Sequence, residues 1–339
     1  MASQAVTTAT SALPPGYHES DAAARRRLGA AGYFACFKGI VWREILRYLH
    51  QRERFLSALV RPLIWLFIFA AGFRQTLGVS IIPPYETYVL YEEFIAPGLI
   101  AMILLFNAMQ SSLSMVYDRE TGTMRTLLVS PFPRSFLLLS KLLGGVSVAL
   151  LQAYAFMLVA WFWGIQPPPI TEVKLFTFYD APSWAGNAFP AMTDPIIHPL
   201  FSVPAFIQPF AGYITVIPAI ILAGLMLGSL ALFMSSVIKQ LENFAGVMNF
   251  VIFPMFFASS ALYPLWRIRE ASPPLFEICR LNPFTYAVEL IRFGLYGQVD
   301  TVSLAVVVGC TVTFLAAAVF AYNPSKGLIA RRGGPGGAA

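Results

Sequence analysis

Apolar residues in this chain are grouped in long unbroken blocks separated by short polar segments, and they do not form periodic stripes. A helix that crosses the roughly 30 Å hydrocarbon core of a bilayer needs about 20 predominantly apolar residues. Six blocks meet this requirement, and the last five contain no Asp, Glu, Lys or Arg. The pattern predicts an all-α membrane protein whose six transmembrane helices lie at residues 59–78, 94–117, 142–165, 212–238, 244–264 and 302–323.

A seventh apolar stretch, residues 281–299, differs from the six blocks because it carries Glu289 and Arg292 near its middle. Charges in a full lipid-exposed crossing are strongly unfavourable. Irregular backbone at membrane depth is tolerated where it packs against protein or lines a wet cavity. We therefore expect a re-entrant helical hairpin between spans five and six, which enters the membrane and returns to the same side.

The composition supports a lipid environment, because 57% of the residues are apolar and only 12% are charged. A soluble domain carries roughly 25% charged residues, so a soluble globule is excluded. Of the 23 Lys and Arg residues, 17 lie on the side of the two termini in the six-span order. Basic residues mark cytoplasmic loops, so both termini are predicted to be cytoplasmic. The net charge of +6 is thus attributed to membrane orientation and not to nucleic acid binding.

The segments at the two ends differ from the spans. Residues 1–32 and 326–339 show no apolar periodicity and are predicted to be disordered cytoplasmic tails. Residues 33–54 place apolar side chains at three- and four-residue steps and basic ones on another face. This pattern is typical of an amphipathic helix that lies in the cytoplasmic membrane interface. The alternative is that the segment is the cytoplasmic start of a long, tilted first span.

Residues 166–211, between spans three and four, are rich in proline. Proline disrupts helices and central strands, so this segment is predicted to be an irregular exterior loop. Two interpretations of it stay open. It is either a lid or docking surface for an envelope partner, or a variable insertion without a function of its own.

The short connection after the second span has the composition of a helix that binds a partner. Glu120 stands where a carboxylate meets the positive end of a helix, and Met124, Leu127 and Leu128 form an apolar ridge. This stretch resembles the coupling segment of ATP-binding cassette (ABC) transporter permeases of the type 2 exporter family. The resemblance assigns contact with an ATPase to Arg119, Glu120, Gly122, Met124, Arg125, Leu127, Leu128 and Pro131.

The segment that follows the fifth span adds to this resemblance. It is similar to the family's re-entrant hairpin, an Asn-Pro-x-x-Tyr motif followed by Arg, and its residues are Asn282, Pro283, Tyr286, Glu289 and Arg292. With the six spans, the resemblance covers residues 33–325. It implies the transmembrane permease subunit of an ABC exporter in a bacterial inner membrane, which moves an amphipathic, lipid-linked or drug-like substrate out of the cytoplasm or the inner leaflet.

The resemblance also implies partners. The chain has no Gly-x-x-x-x-Gly-Lys-Ser/Thr motif, so we expect no ATP, cofactor or metal on it and no enzymatic activity of its own. ATP and Mg are expected on separate ATPase subunits beneath a permease homodimer, with membrane lipid around it and no nucleic acid. Two other functions stay open: a non-transporting membrane scaffold, and a membrane-embedded transferase, for which Glu86, Glu92 and Glu93 are the dense acidic group.

Polar side chains within the spans are the remaining candidates for a function. Asn107 and Gln110 lie in the second span and Asn249 lies in the fifth. They are either hydrogen-bonding contacts between helices or, with Phe253, the lining of a candidate substrate route at a dimer interface. Arg61 lies near the start of the first span, and its charged group is expected to reach the membrane surface as an anchor.

Overall fold

A computed structural model of the chain describes residues 29–50, 52–73, 84–85, 88–120, 132–177, 196–238 and 240–321. This part is mostly helical, as expected for an all-α membrane protein. Its helices are α1 (Ala30–His50), α2 (Arg52–Phe73), α3 (Tyr91–Glu120), α4 (Arg134–Phe162), α5 (Ala211–Val237), α6 (Leu241–Phe257), α7 (Leu265–Ala271), α8 (Pro273–Leu281), α9 (Pro283–Leu295) and α10 (Thr301–Ala321). Its strands are β1 (Glu172–Thr177), β2 (Ile196–Ser202) and β3 (Gln298–Asp300).

Four helical segments of the described part are long and apolar enough to cross a membrane. They coincide with predicted spans two, three, four and six, and their bounds are Tyr91–Tyr117, Ser135–Phe162, Gln208–Val237 and Thr301–Ala321. Two shorter apolar helices, Leu59–Phe69 and Leu241–Phe257, fall within predicted spans one and five. The long apolar blocks of the sequence are therefore helical, and the apolar helices in predicted spans one and five are shorter than the other four.

Helix α5 lies at the centre of the fold and packs against α3, α4, α9 and α10. Its buried residues include Gly224, Gly228, Ser229 and Ala231, which are small. In a bilayer there is no hydrophobic driving force between helices, so close approach through small residues is what holds them together. The packing of α5 thus follows from its small side chains.

Helix α6 ends at Phe257, before the predicted end of span five at residue 264. The hydroxyl of Ser259 donates to the carbonyl oxygen of Phe256 at 2.6 Å and accepts from the backbone N–H of Ala261 at 3.2 Å. These local bonds replace the helical pattern, because serine offers the backbone an alternative hydrogen-bond partner. The chain then turns toward α3, where the hydroxyl of Tyr91 donates to the carbonyl oxygen of Leu262 at 2.9 Å.

Three short helices, α7, α8 and α9, follow this turn in place of one long crossing. Helix α9 has 13 residues and is therefore about 20 Å long, which is less than the thickness of the hydrocarbon core. Asn282 caps α9 by accepting from the backbone N–H of Phe284 at 3.0 Å. Its amide nitrogen donates to the carbonyl oxygens of Met255 and Ala258, both at 2.7 Å. Asn282 thus fixes the start of α9 to the end of α6.

Arg292 of α9 is 3% exposed and has partners on several sides. It forms an ion pair with Glu289, and its Nη2 donates to the carbonyl oxygen of Ser260 at 2.8 Å. Its guanidinium carbon lies 4.2 Å from the ring centre of Phe94 at the start of α3. A buried charge is tolerated when it is paired and hydrogen-bonded in this way. We call Phe94, Ser260, Glu289 and Arg292 the Arg292 cluster.

The remaining residues of the predicted hairpin are structural neighbours of this cluster. Pro283 occupies the first turn of α9, where its missing N–H is not needed. Tyr286 is half-buried and packs against the main core. The hydroxyl of Thr285 donates to the carbonyl oxygen of Cys279 at 2.7 Å, which joins α9 to α8. The hairpin residues named from the sequence therefore lie together around α9.

Strands β1 and β2, between α4 and α5 in the chain, form a three-stranded sheet with β3, which follows α9; the strand order is β2, β1, β3. Strands β1 and β2 are antiparallel, whereas β3 runs parallel to β1. The prediction of an irregular loop is wrong for these two segments. Pro167, Pro168 and Pro169 precede β1. Pro199 lies on β2, the outer strand of the described sheet, next to a register shift after Val173. Proline is tolerated at such edge positions.

The turn into β3 requires a glycine. Gly297 has a φ of 67°, and a Cβ there would lie 2.6 Å from Ile170. Both facts favour glycine, because other residues rarely adopt a left-handed backbone and a side chain would clash. Asp300 follows and accepts from the backbone N–H of Ser303 at 2.9 Å, which caps α10. The sheet thus connects the hairpin to the last helix.

Gly98 to Ala is predicted to destabilise the protein. A Cβ at Gly98 of α3 would lie 2.7 Å from the Cβ of Ala261 and 2.8 Å from its backbone, so the helix and the turn would have to move apart. Such overpacking costs roughly 1–3 kcal/mol. We expect a lower thermal unfolding midpoint in detergent. Gly309→Ala on α10 is the control, because no atom lies within 4 Å of its Cβ position. Equal midpoints for the two variants would contradict the close packing.

Arg292→Ala is predicted to destabilise the protein more strongly. Removing one partner of a buried pair leaves the other charge unpaired and costs about 3–5 kcal/mol. The exposed pair of Arg280 and Glu277, 3.5 Å apart, gives the control Arg280→Ala, for which about 0–1 kcal/mol is expected. The measurement is folded yield and thermal midpoint. The double variant Glu289→Gln/Arg292→Met should recover part of the loss, and no recovery would show that the ion pair is not the cause.

Candidate substrate site

The predicted coupling segment begins in the last turn of α3. Helix α3 continues past predicted span two and ends at Glu120, so Arg119 and Glu120 belong to its last turn. Gly122, Met124, Arg125, Leu127, Leu128 and Pro131 lie outside the described residues. Contact with an ATPase through this segment stays a prediction.

The four residues predicted to line a substrate route meet in the structure. Asn107 and Gln110 of α3 and Asn249 of α6 line one cavity of about 230 Å³. The ring of Phe253 packs edge-on against Phe106, which also lines the cavity, with ring centres 6.4 Å apart. We call this space the route cavity. The structure thus brings these side chains together, and their role in transport stays a prediction.

The rest of the route cavity is formed by α2, α3, α4 and α6. Gln152 of α4 contributes a further amide, and Arg61 of α2 contributes the one charged side chain among the lining residues that the structure describes. The apolar part of the wall consists of Pro62, Met102, Ile103, Phe106 and Met248. A lining that combines amides and one cation with apolar groups suits an amphipathic molecule.

Arg61 is exposed and lies on an aromatic ring of α3, and its expected role as an anchor at the membrane surface stays a prediction. Its guanidinium carbon lies 4.1 Å from the ring centre of Phe106, which is near the middle of the apolar segment Tyr91–Tyr117. A guanidinium over an aromatic face is attracted by the ring quadrupole. This contact holds the charge at the route cavity.

A chain of hydrogen bonds connects the route cavity to α1. The amide nitrogen of Asn107 donates to the side-chain oxygen of Gln152 at 2.6 Å, and the amide nitrogen of Gln152 donates to the hydroxyl of Tyr48. Burial raises the pKa of the Tyr48 phenol, and the hydrogen bond from Gln152 opposes that shift only in part. Tyr48 is therefore a neutral hydroxyl at physiological pH and remains a fixed partner of Gln152.

A second, smaller cavity adjoins the first one. It measures about 70 Å³, is lined by Glu44, Arg47 and Tyr48 of α1, and shares Asn107 and Gln110 with the route cavity. Arg47 and Glu44 form an ion pair at 3.6 Å. The two cavities together form a polar path from α1 into the helix bundle. Among the described residues, no group of three His, Cys, Asp or Glu side chains is placed to hold a metal ion.

Two site residues were missed in the sequence. Gln152 is the one amide in predicted span three, which is a signal of the same kind as Asn107. The role of Arg61 has no local signal, because its position at the end of an apolar block equally fits an anchor. Only the packing of α2 on α3 shows where its charge lies.

Comparison with known proteins identifies the family. The sequence model described as ABC-2 type transporter matches residues 35–179 and 191–296. The chain is 26% identical to the inner membrane transport permease YadH of Escherichia coli (strain K12) over 288 residues, which are 84% of this chain and 92% of that protein. It is 28% identical to the transport permease ycf38 of Cyanophora paradoxa over 260 residues, 75% and 72% of the two chains. This chain belongs to the ABC-2 type transporter family and is a membrane permease subunit of an ABC transporter.

Proposed function

We propose that this permease is the membrane part of an ATP-driven exporter that moves an amphipathic, lipid-linked or drug-like substrate out of the cytoplasm or the inner leaflet. The observation that carries the proposal is the route cavity, which is lined by four amides, one cation and apolar side chains of α2, α3, α4 and α6. A pocket of this mixed character fits a molecule with a polar head and an apolar body. The polar path to α1 supports entry from the inner side.

The proposed topology has six spans with both termini in the cytoplasm. The four long apolar helices and the two shorter ones supply the six crossings. Helices α7, α8 and α9 form a re-entrant segment before the last span, which fits the short length of α9 and its attachment to α6 through Asn282. The name of the relative YadH, an inner membrane permease, supports a bacterial inner membrane as the location.

The energy for transport is proposed to come from separate ATPase subunits. The sequence has no phosphate-binding loop, so ATP and Mg would be held by the partner. Two identical permease chains would stand above two ATPases. The segment from Glu120 to Pro131 would transmit ATPase closure to α3, because α3 continues directly into it. No cofactor is proposed on this chain.

The topology can be tested by labelling single cysteines from each side of sealed vesicles. Cys36, Cys279 and Cys310 are first replaced by serine. Arg125→Cys is expected to react only from the cytoplasmic side, since 17 of the 23 basic residues define that side. Thr171→Cys, which is exposed just before β1, is expected to react only from outside. External labelling at position 125 would contradict the proposed orientation.

The coupling role is tested by Glu120→Lys and Leu127→Asp. Both are expected to leave folded abundance near normal and to lower ATPase copurification and transport, with Leu127→Asp the stronger because it places a charge in the apolar ridge. We expect roughly a tenfold loss of association, the effect of about 1.4 kcal/mol. The measurements are ATPase recovery in mild detergent and ATP-dependent transport into inverted vesicles.

Glu277→Lys on α8 is the matched control, because it reverses an exposed charge away from this segment. It should retain ATPase recovery and transport. Normal recovery and transport by both Glu120→Lys and Leu127→Asp would show that the segment does not couple the two subunits. Failure of the unaltered chain to recruit any ATPase would contradict the proposed function as a whole.

A further inference from the structure

Among the residues that the structure describes, the route cavity is lined by a positive charge and by no negative one. Arg61 is the cation, and the other described lining residues are either amides or apolar side chains. The adjoining cavity contains Glu44. The cavity therefore attracts anions and repels cations.

Arg61 also lacks an ionic partner within the described part of the chain. Arg47 pairs with Glu44 at 3.6 Å, and Arg292 pairs with Glu289, whereas the contact recorded for Arg61 is the ring of Phe106. Arg61 lies in predicted span one, and a charge in a span without a counter-ion is a candidate functional site. A ligand with a negative charge would supply the counter-ion that Arg61 lacks.

Two of the amides are available for the same ligand. The side chains of Gln110 and Asn249 face the cavity and form no side-chain hydrogen bond with any residue the structure describes, whereas Asn107 and Gln152 bond to each other. Amide N–H groups donate to oxyanions, and a guanidinium donates to phosphate or carboxylate in a planar fork. The cavity thus offers hydrogen-bond donors from two amides beside the positive charge of Arg61.

The apolar part of the lining fits an apolar chain. It includes Met102 and Ile103, which are buried, and the flexible, half-buried side chain of Met248, which adapts to different shapes. A free inorganic anion would contact only the polar part of the lining. A molecule that carries its anion on an apolar chain would contact both parts of the wall.

We propose that the route cavity binds an anionic amphiphile, with a phosphate-type oxyanion on Arg61 and its apolar chain on the apolar part of the lining, and that Arg61 selects anionic over cationic substrates. This inference rests on the proposed function, because it names the substrate class of the same route. Arg61 is a binding residue in it, and Gln110 and Asn249 are additional donors.

The test is equilibrium binding to the full chain in nanodiscs of phosphatidylcholine, with the signal of empty nanodiscs subtracted. The probes are dodecyl phosphate, dodecyltrimethylammonium and inorganic phosphate, which separate charge sign from the apolar chain. Dodecyl phosphate is expected to bind at least roughly tenfold more tightly than either of the others, since hydrogen bonds to charged groups contribute about 1.5–3 kcal/mol. Equal binding of the cationic probe, or of inorganic phosphate, would overturn the proposal.

Binding measurements on Arg61 variants test whether dodecyl phosphate binds at the route cavity. Arg61→Gln is expected to weaken dodecyl phosphate binding about tenfold or more, whereas Arg61→Lys, which keeps the charge, should retain the preference for the anion. Arg280→Gln removes a surface arginine on α8 and should bind like the unaltered chain. Unchanged binding by Arg61→Gln would overturn the assignment. The comparison of the three probes on the unaltered chain remains decisive if Arg61→Gln does not fold.

The outcome is separable from that of the proposed function, because binding is measured without an ATPase. Arg61→Gln should copurify the ATPase like the unaltered chain while it loses the anionic probe. A chain that recruits the ATPase but shows no preference for the anionic probe overturns this inference and leaves the proposed function intact. A chain that prefers the anion through Arg61 supports the site even where no ATPase is recruited.

Discussion

Polar groups at membrane depth have no water to bind, so each one needs a partner in the protein or in a ligand. Two arginines of this chain meet this constraint in different ways. Arg292 is buried, and its two Nη atoms bind the Glu289 carboxylate and the carbonyl oxygen of Ser260. Arg61 rests on the ring of Phe106 and faces the route cavity, where no carboxylate belongs to the wall among the described residues. The first arginine is therefore part of the fold, and the second is the one that we propose for a ligand.

Helix α3 connects these two sites with the start of the predicted coupling segment. Its first turns carry Tyr91 and Phe94, which hold the turn after α6 and the Arg292 cluster. Its middle carries Asn107 and Gln110 of the route cavity, and its last turn carries Glu120. A helix is a stiff element, so a displacement of its last turn also moves its middle. In the proposed function, α3 is therefore the element through which an ATPase can change the cavity.

The sequence predicts the long helices well because each apolar block carries its own signal. The sheet was missed because its pairing is not local: β1 joins Gln298–Asp300, far along the chain, and its prolines lie outside the strand or on the edge. The convergence of Asn107 and Asn249 could be suggested, since both are amides in apolar helices. The direction in which the Arg61 side chain points could not be predicted from the sequence, because it depends on how α2 packs on α3. Local patterns identify elements, and tertiary packing decides which polar groups meet.

The two interpretations of the amides in the spans, contacts between helices or lining of a route, separate by residue. Asn107 is 9% exposed and bonds to Gln152, which in turn bonds to Tyr48, so this amide joins α3, α4 and α1. Gln110 and Asn249 keep exposed side chains at the cavity. Interhelical bonds between polar side chains stabilise a bundle. Asn107 therefore holds the wall in place, and Gln110 and Asn249 are the amides that we propose for binding.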